Sequence, residues 1–549
     1  MSRPSITLFI SWMILSLFAC MPASSAPDAA RDMVANADAP FSFDLLSEVM
    51  EARAKAPYEA PSRDELPEIL SSMTYDEHRA IRHDPEKAYW KDQSPFEMQA
   101  FHLGGIFWET VRIYEVTNEK VKPVGFSSDD FIYREPLDPA DFEDFVMPGV
   151  AGFRLASPLN SADYKDELVS FIGASYFRAL GKGSLYGLSA RGLAVNTATA
   201  AGEEFPRFSD FYIEKPTKDA QDITVYAALD SKSVTGAYKF VITPGEDTTM
   251  DVTARLYFRK DVARLGVAPL TSMYLYSDSN HRFDDYRGRV HDSDGLKIIR
   301  ANGDELWRSL NNPQTLANSY FAENNVKAFG LMQRNRDFNQ YQDAEAHYER
   351  RPSLLVEPVG EWGKGTVSLV EIPTELEIND NIVAFWTPSD APKAGEFREY
   401  SYRLSWGDIE RPDHEQDVTQ MGVSDTISPE KTDTKKTFAR VIGLRGGMGG
   451  VSGTVGKNPL RKFVVDFEGG QLENLPEDAD VKSVINISRG DLVHTSLSRI
   501  GDSNVWRLVL DAKTNSDKPM EMNAYLENKG ERLSEIWLYQ WRTGDEKRH

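Results

Sequence analysis

Most standard arrangements of catalytic side chains fail in this sequence, and the failures narrow the chemistry left. One cysteine, Cys20, stands in a chain of 549 residues, so an intramolecular disulfide and a cysteine-built zinc or iron–sulfur site are both excluded. Gly187-Leu-Ser189-Ala-Arg-Gly192 has one residue too many for the Gly-x-Ser-x-Gly elbow that exposes a serine nucleophile. Gly363-Lys364 and Gly456-Lys457 lack the upstream Gly and the following Ser or Thr of a phosphate loop. His78 and His83 lie five apart, not the four that align two ligands on a helix, and Asp278-Ser-Asn-His-Arg-Phe283 has Phe where a calcium loop needs Gly. The sequence calls for no metal and no cofactor. Carboxylates remain, and a pair of them is the usual equipment for cleaving a glycosidic bond. With 85 Asp and Glu in the chain, the residues alone do not say which pair: an Asp in a run such as Asn379-Asp-Asn381 or Asp292-Ser-Asp294-Gly295 is an ordinary turn residue, because Asp bonds its own backbone and Gly295 supplies positive φ.

Composition limits the partners. Lys and Arg number 62 against 85 Asp and Glu, a net charge of −23, which argues against nucleic acid and against anionic lipid. With 41% hydrophobic and 27% charged residues the chain is ordinary globular material, and the 11% aromatics suit strand-rich cores or flat polar ligands such as sugars.

The N-terminus reads as a secretory signal over residues 1–25: Arg3, an apolar run from Ile10 to Ala19, then Ala23-Ser24-Ser25-Ala26. The apolar run is shorter than the roughly 20 residues that span a bilayer, and no later segment predicts a transmembrane span. Leu17-Phe18-Ala19-Cys20 approximates a lipobox, so a lipid anchor at Cys20 is the alternative. Either route predicts export to the periplasm.

Beyond it, Ser42 should cap a helix through about Ala54, with Phe43, Leu46, Val49 and Met50 on one face, and a second short helix is expected over 75–82. From about Phe101 the hydrophobic period becomes two, as in Ile223, Val225, Ala227 and Leu229, with similar runs at 105–116, 238–243, 250–258, 365–372, 381–386 and 400–406. The pattern predicts an all-β protein: a large antiparallel β-sandwich over residues 40–407. A polar stretch without periodicity, 408–437, reads as a linker. Six or seven short strands over 438–545 then fit a small immunoglobulin-like β-sandwich.

Long stretches resemble the bacterial periplasmic glucans biosynthesis proteins G and D. The matching runs include Gly173-Ala-Ser-Tyr-Phe-Arg178, Tyr186-Gly-Leu-Ser-Ala-Arg-Gly-Leu-Ala194, Glu203-Glu-Phe-Pro206, Leu265-Gly-Val-Ala-Pro-Leu-Thr-Ser-Met273, His291-Asp-Ser-Asp294, Leu310-Asn-Asn-Pro313, Glu361-Trp-Gly-Lys-Gly365, Asn379-Asp-Asn-Ile-Val383 and Ser534-Glu-Ile-Trp-Leu-Tyr-Gln540. They occur in order across nearly the whole mature chain. The resemblance implies a mutarotase-like carbohydrate-active sandwich followed by an immunoglobulin-like domain, and a role in osmoregulated periplasmic glucans with a β-1,2-linked backbone. It implies an inverting endo-β-1,2-glucanase, with a glucan transglycosylase or a non-catalytic glucan-binding scaffold as alternatives.

Mapped residue by residue, the resemblance puts the general acid at Asp380 and the general base at Asp292. An acid must enter the cycle protonated, and Glu377, three residues earlier, is at hand to raise the Asp380 pKa. Asp294 competes for the role of base. Tyr348 and Arg351 look like sugar contacts, and Tyr176, Arg178 and Arg191 are weaker candidates; Trp362 and Trp386 read as core. The resemblance departs at residues 443–459, where Gly447-Met-Gly-Gly450 looks like protein D although the start of the chain looks like protein G. That glycine-rich stretch is expected to be a loop able to cover the site. Oligomeric state is open, a homodimer included.

Overall fold

The structure, a computed structural model, describes residues 40–411, 437–450, 460–476, 479–501, 503–514 and 516–545. The signal segment 1–25, Cys20 and most of the 408–437 linker lie outside the described residues.

The first helix is Phe43–Ala54, its N-terminus capped by the Ser42 hydroxyl, which accepts from the Leu45 N–H at 3.1 Å. Leu46, Val49 and Met50 are buried against Tyr114, Tyr212, Tyr226 and Ala237, so the helix lies on the outside of a sheet. The second helix, Tyr75–Arg79, is shorter than its sequence predicts, because Ile81–His83 is drawn off as a strand that pairs with Phe131–Tyr133.

The rest is strand. A ten-stranded sheet runs in the order Glu97–Phe101, Gly152–Ser157, Asp166–Ile172, Tyr176–Ala179, Ser189–Arg191, Leu265–Ser272, Ile382–Pro388, Lys364–Glu371 and Ala317–Asn324, with Leu193–Val195 pairing Leu265–Ser272 beside that path. A fifteen-stranded sheet faces it, with Ser353–Val359, Phe397–Gly407, Thr248–Phe258 and Val234–Thr243 near its centre. Thr248–Phe258 buries alternate residues, the period-two signature of a strand with one face inward. Between the sheets, Phe153 meets Phe211 at 4.9 Å, Phe177 meets Phe240 at 5.3 Å and Phe177 meets Trp406 at 5.8 Å. Each such buried ring contributes roughly 1.5–3 kcal/mol of apolar burial. The protein is an all-β sandwich.

The described C-terminal strands surround a second core built on Phe463, Val465, Leu508, Leu510, Trp537 and Tyr539. One of them, Asp491–Arg499, has no counterpart among the predicted strands; it is exposed along nearly its whole length, so its sequence carries no burial period. This second unit does not stand apart from the first. Leu306, Trp307 and Arg308 pair in parallel with Ile536, Trp537 and Leu538, so the large sheet continues into the C-terminal strands.

The expected glycine-rich loop is in part a strand, Arg440–Met448, paired with Leu460–Glu468. Glycine is needed there for close approach: a Cβ on Gly446 would lie 2.3 Å from the Ser279 carbonyl oxygen. Residues 451–459 lie outside the described residues.

Candidate active site

The two carboxylates that lie 88 positions apart in sequence meet because both flank one strand end. Ser272 pairs with Ile382 on one side, and beyond it the side chain of Asn381 clamps Tyr274, accepting from its N–H at 2.8 Å and donating to its carbonyl at 3.0 Å. On the other side Tyr274 pairs with His291, and the Asp292 N–H donates to the Met273 carbonyl at 2.8 Å. Asp292 and Asp380 therefore hang from the two neighbours of residues 272–274, two strand spacings or roughly 10 Å apart at the backbone.

Asp292 is buried where the chain crosses from one large sheet to the other. Its Oδ1 accepts no hydrogen bond from any described residue, and the Arg351 Nε stands 3.6 Å away, too far to bond. Burial pushes the Asp292 carboxyl up to about 6, assisted by the charges of Asp380 and Glu377; Arg351 and Arg178 pull the other way. Asp294 differs. Burial opposes its charge, but His291, Arg289 and the N–H groups of Asn335 and Arg334 outweigh that and hold its carboxyl below the usual range. Those N–H groups donate at 3.0 and 2.6 Å. Both N–H groups go to Oδ2, so Asp294 is fastened to the backbone through one carboxylate oxygen.

Asp380 is exposed and lines an open cavity of about 380 Å³ with Arg178, Ile372, Thr374 and Asn381. It sits on residues 372–381, whose apolar side chains Leu376 and Ile378 face solvent.

The chain matches, over residues 41–541, the family described as "Periplasmic glucan biosynthesis protein, MdoG". It belongs to that family. Glucans biosynthesis protein G of Cereibacter sphaeroides is 50% identical to it over 524 residues, 95% of this chain and 91% of that relative. Among solved structures, the Slr1438 protein of Synechocystis sp. PCC 6803 overlaps 60% of this chain and 98% of its own at 9% identity, with a TM-score of 0.16.

Around the two carboxylates of this MdoG-family chain stand most of the residues its sequence singles out. Tyr348 is buried, donates its hydroxyl hydrogen to Glu377 Oε1, and lies 5.1 Å from the Arg351 guanidinium that covers its ring. Burial and the Glu377 carboxylate push the Tyr348 hydroxyl far above its ordinary value, so it stays a donor. Arg178 donates to the Ser189 hydroxyl at 2.7 Å. Tyr176 is close enough to feel the Asp380 charge, and its ring faces the Arg191 guanidinium at 4.7 Å. Arg191 itself is spent on Glu203, at 2.7 Å, and is the least available to a ligand. Trp386 is fully buried and Trp362 packs on it, as a core reading requires.

Arg287 grips Glu377 with two bonds, NH1 to Oε1 at 3.0 Å and NH2 to Oε2 at 2.8 Å, which offsets part of its charge. Asp292 feels the charges of both Asp380 and Glu377.

Three positioning residues escape sequence reasoning. Arg287 also binds Asp285 at 2.8 Å and Asp343 at 2.7 Å, and so ties three segments of the MdoG-family site together. It lies in the charged run 284–289, which reads as solvated surface. Gln333 accepts from His291 Nδ1 at 3.0 Å and donates to the His291 carbonyl at 2.9 Å. Asn381 was visible only as a neighbour of Asp380. Nothing short of the fold assigns either residue its partner. Among the described residues, no group of three or more His, Cys, Asp or Glu is arranged to hold a metal ion, and no helix is long and apolar enough to cross a membrane.

Proposed function

We propose that this periplasmic glucan biosynthesis family member is an exported inverting endo-β-1,2-glucanase, with Asp380 as general acid and Asp292 as general base. The observation that carries the reading is a pair of carboxylates of opposite surroundings, Asp380 exposed at an open cavity and Asp292 buried but close enough to feel its charge, with Arg178, Arg351 and Tyr348 near them. Asp380 gives its proton to the glycosidic oxygen as the bond from C1 to that oxygen breaks. Asp292 takes a proton, directly or through a relay, from the water whose oxygen bonds to C1 from the opposite face.

Physical chemistry supports this division of labour. A base works best with a pKa near the operating pH, and Asp292 at about 6 is ionised at pH 7 while more basic than an ordinary carboxylate. Its unbonded Oδ1 offers a lone pair. Asp380 stands in solvent at the open cavity, where a bound glucan can reach its carboxyl. Arg351, Arg178, Tyr348 and Glu377 supply hydroxyl-binding donors and acceptors, and Tyr176 a further ring.

The test is incubation of the purified protein with linear β-1,2-glucan, following new reducing ends and, by NMR, the anomer first released. Wild type should release reducing ends with inverted configuration, and Asp380→Asn should release almost none. Glucan binding by calorimetry with no turnover in wild type overturns hydrolysis in favour of a binding role; cyclic or lengthened products indicate a transglycosylase.

A further inference from the structure

Residues 291–294 are fastened along their length to residues 332–335. Gln333 grips His291, the Asp294 N–H donates to the Met332 carbonyl at 2.7 Å, and the Asp294 carboxylate takes the N–H groups of Arg334 and Asn335. Asp292 lies between these fastenings. Its place therefore depends on where residues 332–335 are held, as well as on Met273, whose carbonyl takes the Asp292 N–H.

Within the sandwich, Met332 pairs with Gly295 and Gln333 bonds Ser353 and Tyr348; Arg334 adds a tie to the C-terminal unit and to Glu410 at the start of the linker. The Arg334 guanidinium has five N–H donors, and all five are used. Nε donates to Glu410 Oε2 at 2.6 Å and NH2 to Glu410 Oε1 at 2.9 Å. NH1 donates to Glu535 Oε2 at 2.9 Å and to the Val441 carbonyl at 3.0 Å, and NH2 to Glu535 Oε1 at 2.7 Å. The Trp307 ring lies 3.5 Å from the guanidinium carbon. Glu535, fully buried, uses Oε2 again to take the Val441 N–H at 3.0 Å. Lys297 adds a second cation, 2.8 Å from Glu410. A buried ionic cluster of this kind costs desolvation, and apolar side chains hold two units together as well or better. What apolar packing lacks is direction: a guanidinium fork between two carboxylates fixes where its own backbone lies.

We propose that Arg334 is a positioning residue, clasped by Glu535 and Glu410, through which the C-terminal unit fixes the general base Asp292 in the glucan site. The proposal rests on the glucanase reading for its kinetic consequence but not for its structural one, and the experiment separates the two. Arg334→Lys keeps the charge and loses the fork; Glu535→Gln keeps the shape and loses the charge. Each should lower kcat on β-1,2-glucan about 10- to 100-fold, the scale of a small misplacement of a catalytic group, with KM changed less than about twofold. Glu410→Gln is the second variant should Glu535→Gln fail to fold, as thermal melting will show. The control is Arg532→Gln, which breaks another tie between the units, to Asp304 at 2.5 Å, without touching residues 332–335; its kcat should stay at the wild-type level.

In parallel, carbon-13 NMR of labelled aspartate, assigned with Asp292→Asn, reads the Asp292 titration midpoint without any turnover. That midpoint should move in Arg334→Lys and Glu535→Gln and stay in Arg532→Gln. A wild type without turnover but with this pattern overturns the glucanase reading and keeps the positioning role. A midpoint unmoved in all the variants, or a kcat loss as large in Arg532→Gln as in Arg334→Lys, overturns the positioning role.

Discussion

Asp292 and Asp380 hang from the two neighbours of the same strand end, yet their surroundings are opposites. Asp292 is buried at a crossover between two large sheets, with His291 and Asp294 fastened on either side of it. Asp380 stands in solvent on the segment 372–381, among side chains such as Ile378 that are almost wholly exposed. One carboxylate is finished by the fold; the other is left for a ligand to finish. A base must be ionised and aimed at a water before the reaction starts, so it gains from a rigid frame. An acid must hold a proton only while the sugar is bound, so its desolvation can be supplied by the sugar itself.

The widest break in this comparison comes from the carboxylates themselves. Asp292→Asn and Asp380→Asn should each lower kcat by about 10²–10⁴, the usual weight of general acid–base groups, read as reducing ends from β-1,2-glucan. Their pH behaviour should differ. Activity of the wild type should fall as pH drops below about 6, where Asp292 takes up a proton. Stability should move the other way. The folded-state pKa of Asp292 is raised from 3.8 to about 6, so its favourable contribution is complete below the unfolded value and is lost as pH rises through about 6. At pH 7.5 the ionised carboxyl should cost roughly 3 kcal/mol, and Asp292→Asn should melt higher than wild type by a margin that vanishes below pH 4. An Asp292→Asn protein that melts no higher at pH 7.5 would contradict the strained, prepared base. Asp380→Asn, altering a solvated group, should leave the melting temperature near that of wild type.

Next in size is Arg287→Gln. Arg287 holds Glu377, Asp343 and Asp285, and its loss leaves three carboxylates close together without their cation. Glucan affinity should fall about 10-fold or more, the scale of breaking a charge-assisted bidentate pair, as measured by calorimetry. If the loss appears in kcat alone with binding intact, Arg287 serves the acid-bearing segment and not the sugar contacts.

How far the sequence reaches into this comparison depends on what kind of information each residue needs. Period two in 223–229 and 250–258 predicts strands that form; in the second, one buried face writes itself into every second residue, while the first is buried on both faces because the helix Phe43–Ala54 covers Tyr226 and Ala228. Asp491–Arg499 is invisible to the same rule, since a strand exposed on both faces leaves no such record. Asp380 and Asp292 are legible only through the family resemblance; in themselves they are turn residues. Their meeting depends on both His291 and Asn381 engaging Tyr274, and the Asn381 contact joins segments 107 residues apart. The charge partners fare worst. Glu377 is three residues from Asp380, and local spacing makes it the natural neighbour, but Arg287 from 90 positions away offsets part of its charge. Asp292 and Asp294 likewise sit in one Asp-Ser-Asp run, and only the fold gives Asp294 the backbone N–H groups of residues 334 and 335.

The smallest effect tests the idea that contacts on the Asp380 side are loose until sugar binds. Tyr348 donates its hydroxyl hydrogen to Glu377, and Tyr348→Phe removes that one bond while leaving the ring under Arg351. A neutral donor on a carboxylate contributes about 1.5–3 kcal/mol when nothing replaces it. Here Glu377 keeps both of its bonds from Arg287, so the remaining loss should fall below that range, about 3- to 10-fold in glucan affinity by calorimetry. Wild-type melting behaviour should be retained, because Glu377 is already partly in water and gains a solvent bond in exchange. A loss as great as that of Arg287→Gln would mean that the hydroxyl touches the sugar directly and that Glu377 is only its support. A loss too small to measure would mean that Tyr348 serves as a flat ring for Arg351 and nothing more.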